Sequence, residues 1–375
     1  MWLKRGLCLL LLLSTLCVYA MAEEPEISSL SAVVYLPETG QVLYEKDGDT
    51  RRPMASTTKL MTALVAAETL DLSAELTVSA EAVRVEGSSL GLHGGDRITG
   101  QDLLIGMLLE SGNDAANAVA LTVEDSLEAF ARRMNQKAAE LGMTNSGFVT
   151  PSGLDAEGHG ASARDMALLG AAVLENPALA AICATKSTQI IFGNPPVSHT
   201  VSNHNRLLSK MEGCVGLKTG YTTKAGRCLV SAAVRDDITL VVATLNGHDY
   251  WNDHQSLYDY GFSKVRRLTL PETVLPMLAV SGGVKKQVAL CYETPIAPIV
   301  GTEVTDPLTV RLELPSFVTA PVSAGEVVGY IRYENSSGVL CSAPLTAAGD
   351  VEAQPVASPW VWWWRWFCTL LAALG

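Results

Sequence analysis

Hydrophobic and polar positions change their rhythm twice along this chain of 375 residues. Ala32-Val33-Val34-Tyr35-Leu36 and Gln41-Val42-Leu43-Tyr44-Glu45 alternate around a Pro37-Glu38-Thr39-Gly40 turn, which predicts a hairpin over 28–46. A largely apolar, helix-forming run from Lys59 to Leu70 follows, and Pro53 and Ser56 mark its N-terminus. Leu76-Thr77-Val78 predicts a short strand before a glycine-rich stretch from Gly87 to Gly95. Gln101 to Leu109 is a strongly apolar helix that breaks at Ser111-Gly112-Asn113, and a second helix runs from about Asp114 to Val123. Helices near 127–141 and 163–175 flank a loop over 145–160. Val215 to Tyr221, Cys228 to Val234 and Thr239 to Leu245 have strand character, closed by a helix from about His254 to Tyr260.

From Ser263 the texture becomes short β segments rich in proline, which places a domain boundary at about 262–266. The second change comes at Pro359. Trp360, Trp363, Trp364, Phe367, Leu370, Leu371 and Leu374 fall on one helical stripe, with Val361, Arg365, Cys368 and Ala372 opposite. About 15 residues with a central arginine fall short of the ~20 needed to span a bilayer. Tryptophan suits the membrane interface, so the pattern predicts an in-plane anchor at a membrane surface.

The N-terminal residues look like a secretory signal. Lys4 and Arg5 precede an apolar run from Leu7 to Leu16, and Ala20-Met21-Ala22 supplies a small-residue cleavage site. The expected organisation is a signal peptide over 1–22, a main domain over 23–262, a small β-rich domain over 263–352, and a linker with an amphipathic membrane-anchor helix over 353–375.

The formal charge is −12, and loss of Lys4 and Arg5 makes it −14. An acidic exported chain argues against nucleic acid as a partner. Of eight cysteines, Cys8 and Cys17 lie in the signal, and the rest contain no Cys-x-x-Cys pair. That spacing suggests neither zinc nor a disulfide scaffold, and the six histidines form no metal-ligand pattern. If 215–221 and 228–235 pair, Cys228 lies opposite Tyr221 and Cys214 opposite Arg235. Seven strand residues then separate the thiols by roughly 23 Å, too far for a bridge.

The candidate chemistry begins at Ser56-Thr57-Thr58-Lys59. Residues i and i+3 share a helix face, so the Lys59 amine sits beside the Ser56 hydroxyl. A lysine buried in an apolar helix, with a second cation nearby, can be neutral enough to take the serine proton. A serine N-cap followed by a surface lysine would look the same in sequence. Gly87-Ser88-Ser89-Leu90-Gly91 fits the pattern of a hydrolase nucleophile elbow, but Gly91, Gly94 and Gly95 prevent the helix an elbow requires, so a loop is expected.

Ser56-x-x-Lys59, Ser111-Gly112-Asn113 and Lys218-Thr219-Gly220 stand in order. Each triplet is expected by chance in under ~10% of chains at average composition, and the ordered set far less often. The set is that of penicillin-binding proteins and class A β-lactamases. With its Ser-Gly-Asn variant, the chain resembles the low-molecular-mass penicillin-binding proteins that are serine-type D-alanyl-D-alanine carboxypeptidases. Gly95-Asp96-Arg97-Ile98-Thr99, Glu140-Leu141-Gly142-Met143, Gly153-Leu154-Asp155, Ala163-Arg164-Asp165-Met166-Ala167 and Lys218-Thr219-Gly220-Tyr221-Thr222 extend the likeness over about 28–262. Residues 263–350 share only the domain order and the β texture.

The resemblance implies an α/β (strictly α+β) transpeptidase-like domain, an antiparallel sheet with a helical subdomain, followed by a small all-β domain. It implies that Ser56 attacks the carbonyl of the penultimate D-alanine of a peptidoglycan stem peptide, with Lys59 as base, and that β-lactam antibiotics acylate the same serine. Ser111 would relay a proton to the leaving amine, and Asn113 would hold Lys59 and the substrate amide. Lys218 and Thr219, ahead of Gly220 and Tyr221, would bind the terminal carboxylate, and Lys218 would hold down the Lys59 pKa. The backbone N–H groups of Ser56 and Tyr221 would form the oxyanion hole. No metal or cofactor is needed. Some relatives carry an arginine shortly after the third strand; Asn246 to His254 contains none, which leaves Arg227 or a histidine for that role.

A β-lactamase would need a Glu-x-x-x-Asn loop between the second and third motifs, and none of Glu140, Glu157, Glu175 or Glu212 begins one. The same three motifs would also suit a D,D-endopeptidase on this fold, or a non-catalytic penicillin-sensing or wall-binding protein.

Overall fold

The structure is a computed structural model, and residues 23–355 and 359–374 are described. The expected signal over 1–22 lies outside them, as do three residues of the expected linker. The chain forms two compact units, one up to Arg266 and one from Arg267 onward.

In the first unit the strands are β1 (Ser31–Leu36), β2 (Gln41–Lys46), β3 (Glu75–Thr77), β4 (Arg97–Thr99), β5 (Ser187–Gly193), β6 (Pro196–Ser202), β7 (Cys214–Thr222), β8 (Gly226–Arg235) and β9 (Ile238–Leu245). The helices are α1 (Lys59–Ala67), α2 (Gly100–Leu109), α3 (Asn113–Val123), α4 (Leu127–Glu140), α5 (Ala163–Glu175), α6 (Pro177–Ala184) and α7 (Tyr250–Lys264). A five-stranded antiparallel sheet runs β2-β1-β9-β8-β7, so β7 is an edge strand. A second sheet runs β3-β4-β5-β6.

Helices cover both faces of the larger sheet. The backbone of α5 at Gly170 abuts Val230 and Val241, while α7 at Gly261 abuts Val34 and Leu240. Val241 and Leu240 are neighbours on one strand and point to opposite faces. This explains why β8 and β9 read as continuous apolar runs rather than as alternation. On the α7 face, His254 is fully buried, with Nδ1 2.7 Å from Ser231 Oγ and Nε2 2.8 Å from Thr244 Oγ1.

Helix α1 is buried at every position from Lys59 to Ala66, as its lack of a polar face requires. Its helical neighbours start where the sequence offers caps. Thr99, Ser126 and Ser162 accept the N–H of Asp102, Ala129 and Asp165, and Asn176 precedes Pro177 at the start of α6.

Several expectations need correction. Helix α1 stops at Ala67 rather than near Leu70, and α7 spans fifteen residues rather than the seven expected from His254 to Tyr260. The β7–β8 ladder pairs Cys228 with Gly220 and Cys214 with Ala233, not with Tyr221 and Arg235. A three-residue connection, Thr223 to Ala225, closes the hairpin one step tighter, and a bulge between Cys214 and Gly216 adds a second step. Both thiols are free. Helix α6, the β5–β6 hairpin and a one-turn helix at Leu207–Lys210 have no counterpart in the sequence reading.

The second unit is β-rich. Leu290–Cys291, Gly338–Ala347, Val327–Asn335 and Thr309–Glu313 form one sheet, and Gln287–Val288, Leu278–Ser281 and Val318–Thr319 another. Small cores form around Val280, Val322 and Val351 and around Ile331, Tyr333 and Leu345. A helix, α8 (Pro359–Leu374), follows, and Trp360, Trp362, Trp363, Trp364 and Trp366 are all exposed.

Candidate active site

Ser56 lies in a 3-10 turn, Ala55–Thr58, that runs directly into α1. It is therefore not the N-cap of an α-helix, and no side chain caps either segment. The tighter turn helps the expected pairing, because residues i and i+3 eclipse in a 3-10 helix. Lys59 Nζ is 2.9 Å from Ser56 Oγ.

Two further contacts determine what this amine can do. Lys59 Nζ is 2.7 Å from Asn113 Oδ1 and 2.7 Å from the carbonyl oxygen of Ser152. The Asn113 amide is oriented because its Nδ2 donates to the Glu86 carbonyl at 2.7 Å, leaving Oδ1 as a pure acceptor. A neutral amine has two N–H bonds and one lone pair. With both N–H bonds spent on Asn113 and Ser152, the lone pair faces the Ser56 hydroxyl.

The surroundings favour that neutral form. Lys59 is fully buried, and desolvation, reinforced by the nearby Lys218 cation, lowers its pKa well below the ordinary value; Asp114 opposes them. Lys218 is itself buried and pulled down to about 8 by desolvation, against the counter-effects of Cys183 and Glu110. Its ammonium donates to the Thr219 carbonyl at 3.1 Å.

Ser56, Ser111, Thr219, Gly220 and Tyr221 line one cavity of about 740 Å³. Lys59, Asn113 and Lys218 lie behind its wall. Edge strand β7 comes against the serine turn at Gly220, where a Cβ would lie 3.0 Å from the Ser56 nitrogen and 2.8 Å from the Met54 carbonyl oxygen. Only glycine permits that approach.

The glycine-rich loop is a loop, as expected, and it forms part of the cavity wall through Ser88. Asp114, next to Asn113, holds it by accepting from Ser89 Oγ and from the N–H groups of Leu90, Gly91 and Leu92 at 2.6–3.0 Å.

Four basic side chains, His204, Arg206, Arg227 and His248, also line the cavity, and among the described residues no carboxylate does. Arg206 and Arg227 put positive charge on this wall in a chain of charge −12, while desolvation and the Lys218 cation lower the His204 pKa and keep that ring neutral. Arg227 stands 5.6 Å from the Tyr221 ring and 5.8 Å from the Tyr250 ring. The Tyr221 contact follows from the corrected register, which pairs Tyr221 with Arg227.

Sequence reading missed Ser152, which acts through its backbone carbonyl and so carries no side-chain signal. It also missed His204 and Arg206. The polar cluster Asn203-His204-Asn205-Arg206 was the available clue, but only the β5–β6 hairpin brings it to the cleft.

Geometry of this kind belongs to serine enzymes that use an amine where others use an imidazole. Residues 19–249 match the family model described as D-alanyl-D-alanine carboxypeptidase, peptidase family S11. Residues 272–353 match the C-terminal domain of penicillin-binding protein 5. D-alanyl-D-alanine carboxypeptidase DacF of Bacillus subtilis is 30% identical over 335 residues, 86% of this chain and 85% of that one. DacB2 of Mycobacterium tuberculosis is 37% identical over 234 residues, 60% of this chain and 79% of that one. A solved D-alanyl-D-alanine carboxypeptidase of Mycobacterium tuberculosis H37Rv, 34% identical, superposes with a TM-score of 0.62 over 65% of this chain and 95% of that one. The chain belongs to the D-alanyl-D-alanine carboxypeptidase family of serine peptidases and is a low-molecular-mass penicillin-binding protein.

Proposed function

We propose that this chain is a serine-type D-Ala-D-Ala carboxypeptidase that removes the terminal D-alanine of peptidoglycan stem peptides through an acyl-enzyme on Ser56. The observation that carries the reading is the buried Lys59 amine, whose two fixed acceptors turn its lone pair toward Ser56. Lys59 takes the serine proton as Ser56 Oγ attacks the penultimate carbonyl. The backbone N–H groups of Ser56 and Tyr221, at the Gly220 approach, receive the developing oxyanion. Ser111 passes a proton to the departing amine, and Asn113 holds both Lys59 and the substrate amide. Water then hydrolyses the ester. Lys218 and Thr219 take the terminal carboxylate, with Arg206 and Arg227 adding positive charge to the same wall.

β-lactams acylate Ser56 because their strained amide presents the same carbonyl. The test is release of D-alanine from a D-Ala-D-Ala pentapeptide, with and without penicillin. Penicillin-sensitive release is expected. Cleavage of cross-linked dimers without release from the pentapeptide would point to an endopeptidase, and turnover of neither would leave a sensor or wall-binding protein.

The reading extends to location. Residues 1–22 act as an export signal, the unit up to Arg266 as the catalytic domain in place of the expected end at 262, the β-rich unit after it as a spacer, and α8 as an anchor on the outer face of the cytoplasmic membrane. Among the described residues no single helix is long and apolar enough to cross a membrane. The exposed tryptophans and leucines of α8 support an in-plane position, with Arg365 reaching phosphate. Trp362 falls on the opposite side from the main stripe, which widens the apolar surface beyond the sequence expectation. Truncation after Ser358 should release the protein from the membrane fraction with full activity on soluble peptide. Retention in that fraction would overturn the anchor.

A further inference from the structure

His159 is 9% exposed and sits where the 145–160 loop folds back on the serine-bearing turn. Its Nδ1 accepts the backbone N–H of Val149 at 3.0 Å and, more weakly, that of Thr150 at 3.4 Å. A ring nitrogen that accepts carries no proton, so the neutral imidazole is protonated at Nε2. Nε2 donates to Thr58 Oγ1 at 3.0 Å.

Both partners adjoin the Lys59 contact. Thr58 immediately precedes Lys59. Val149 and Thr150 immediately precede Pro151 and Ser152, whose carbonyls accept from Thr62 Oγ1 at 2.6 Å and from Lys59 Nζ at 2.7 Å. The next residue, Gly153 (φ +89°), lies flat on the turn, its Cα side directed at the Ala55 carbonyl. Phe148 packs edge-on to the imidazole at 6.2 Å and fills the space behind it. Desolvation pulls the ring down to about 4, with Asp155 opposing and Arg51 reinforcing. At neutral pH the ring is therefore uncharged, as an accepting Nδ1 requires.

We propose that His159 is a positioning residue for the Ser56–Lys59 pair: by clamping Val149 to Thr58 it fixes the Ser152 carbonyl that orients the Lys59 amine. The inference rests on the reading of Ser56 as nucleophile and Lys59 as base. Both ring nitrogens of His159 are taken up by Val149, Thr150 and Thr58, so it acts through the loop and not on the substrate.

The test uses the full chain and a fluorescent penicillin, with stopped-flow separation of non-covalent binding from acylation across pH. His159→Phe keeps the bulk and removes both hydrogen bonds. His159→Asn restores an acceptor near the Nδ1 position, and His159→Gln a donor near Nε2. His159→Phe should slow acylation on the order of tenfold to a hundredfold, the scale of an ångström-level misplacement, with binding unchanged. The acid limb of the acylation profile should move to lower pH, because a displaced Ser152 carbonyl no longer stabilises the Lys59 ammonium. His159→Asn should recover most of the rate. A folded His159→Phe within about twofold of wild type, with the acid limb unmoved, would overturn the inference. If His159→Phe does not fold, a His159→Gln variant, which lacks the Nδ1-position acceptor, that matches wild type in rate and acid limb overturns it equally. A wild-type chain that forms no adduct is a different failure: it removes the Ser56 reading, and this inference falls with it.

Discussion

Lys59 Nζ lies 2.7 Å from the Ser152 carbonyl oxygen, a contact between residues 93 positions apart. With Asn113 on its other side, the amine has no freedom to donate elsewhere and keep its lone pair on Ser56. A side chain that cannot deprotonate should fail in this position however well it pairs. Lys59→Arg keeps the charge but not the proton transfer. Acylation by penicillin should fall by on the order of a thousandfold or more while thermal unfolding stays cooperative. A folded variant within about tenfold of wild type would assign Lys59 a structural role only.

On the proposed reading Lys218 binds the substrate carboxylate in its charged form, and burial pulls that ammonium down to about 8. The cation is present below that pH and lost above it. Carboxypeptidase kcat/KM should therefore decline as pH rises through about 8. Lys218→Arg, which stays charged, should move that limb upward. An alkaline limb unchanged by the substitution would place it on another group.

Gly220 makes a steric prediction. A Cβ there meets the Met54 carbonyl oxygen at 2.8 Å and the nitrogens of Ser56 and Thr57 at 3.0 Å. All three are backbone atoms, which cannot rotate away. Gly220→Ala should push β7 off the serine turn, slow acylation by on the order of a hundredfold and cost about 1–3 kcal/mol in urea unfolding. Wild-type acylation in Gly220→Ala would show that the strand approach is unimportant to the chemistry.

The motif positions were legible in the sequence because each is a side chain with a required chemistry at a short, fixed spacing. Ser56 and Lys59 sit within one turn, and Lys218, Thr219 and Gly220 are consecutive. Long apolar runs bounded by breaks, such as α2 and β9, were legible from their length and flanking residues. What escaped notice depends on tertiary placement. The Ser152 carbonyl could belong to any residue type, and Arg206 reaches the cleft only because a hairpin without strong alternation, Ser187–Gly193 with Pro196–Ser202, delivers it. The β7–β8 register differs from the sequence expectation by one residue at Cys228 and by two at Cys214, because loop length and a bulge, not apolar pattern, decide it.

Two buried histidines give a stability prediction. Desolvation holds His159 at about 4 and His254 at about 3, against 6.5 when unfolded. Unfolding then takes up protons at acid pH. Stability is full above the unfolded pKa and lost as pH falls toward the folded values. Each histidine contributes a slope of about 1.4 kcal/mol per pH unit within that window. Urea midpoints should drop steeply from pH 6 to pH 4, and His159→Asn should flatten part of the slope. Midpoints independent of pH over that range would contradict the buried neutral assignment.

The central claim is that Ser56 is a nucleophile activated by Lys59. Intact-mass analysis after incubation with penicillin, followed by peptide mapping, tests it most directly. Wild type should gain one penicilloyl adduct, mapped to Ser56, and Ser56→Ala should gain none while remaining folded. An adduct that survives in Ser56→Ala, or maps to another residue in wild type, would contradict the account.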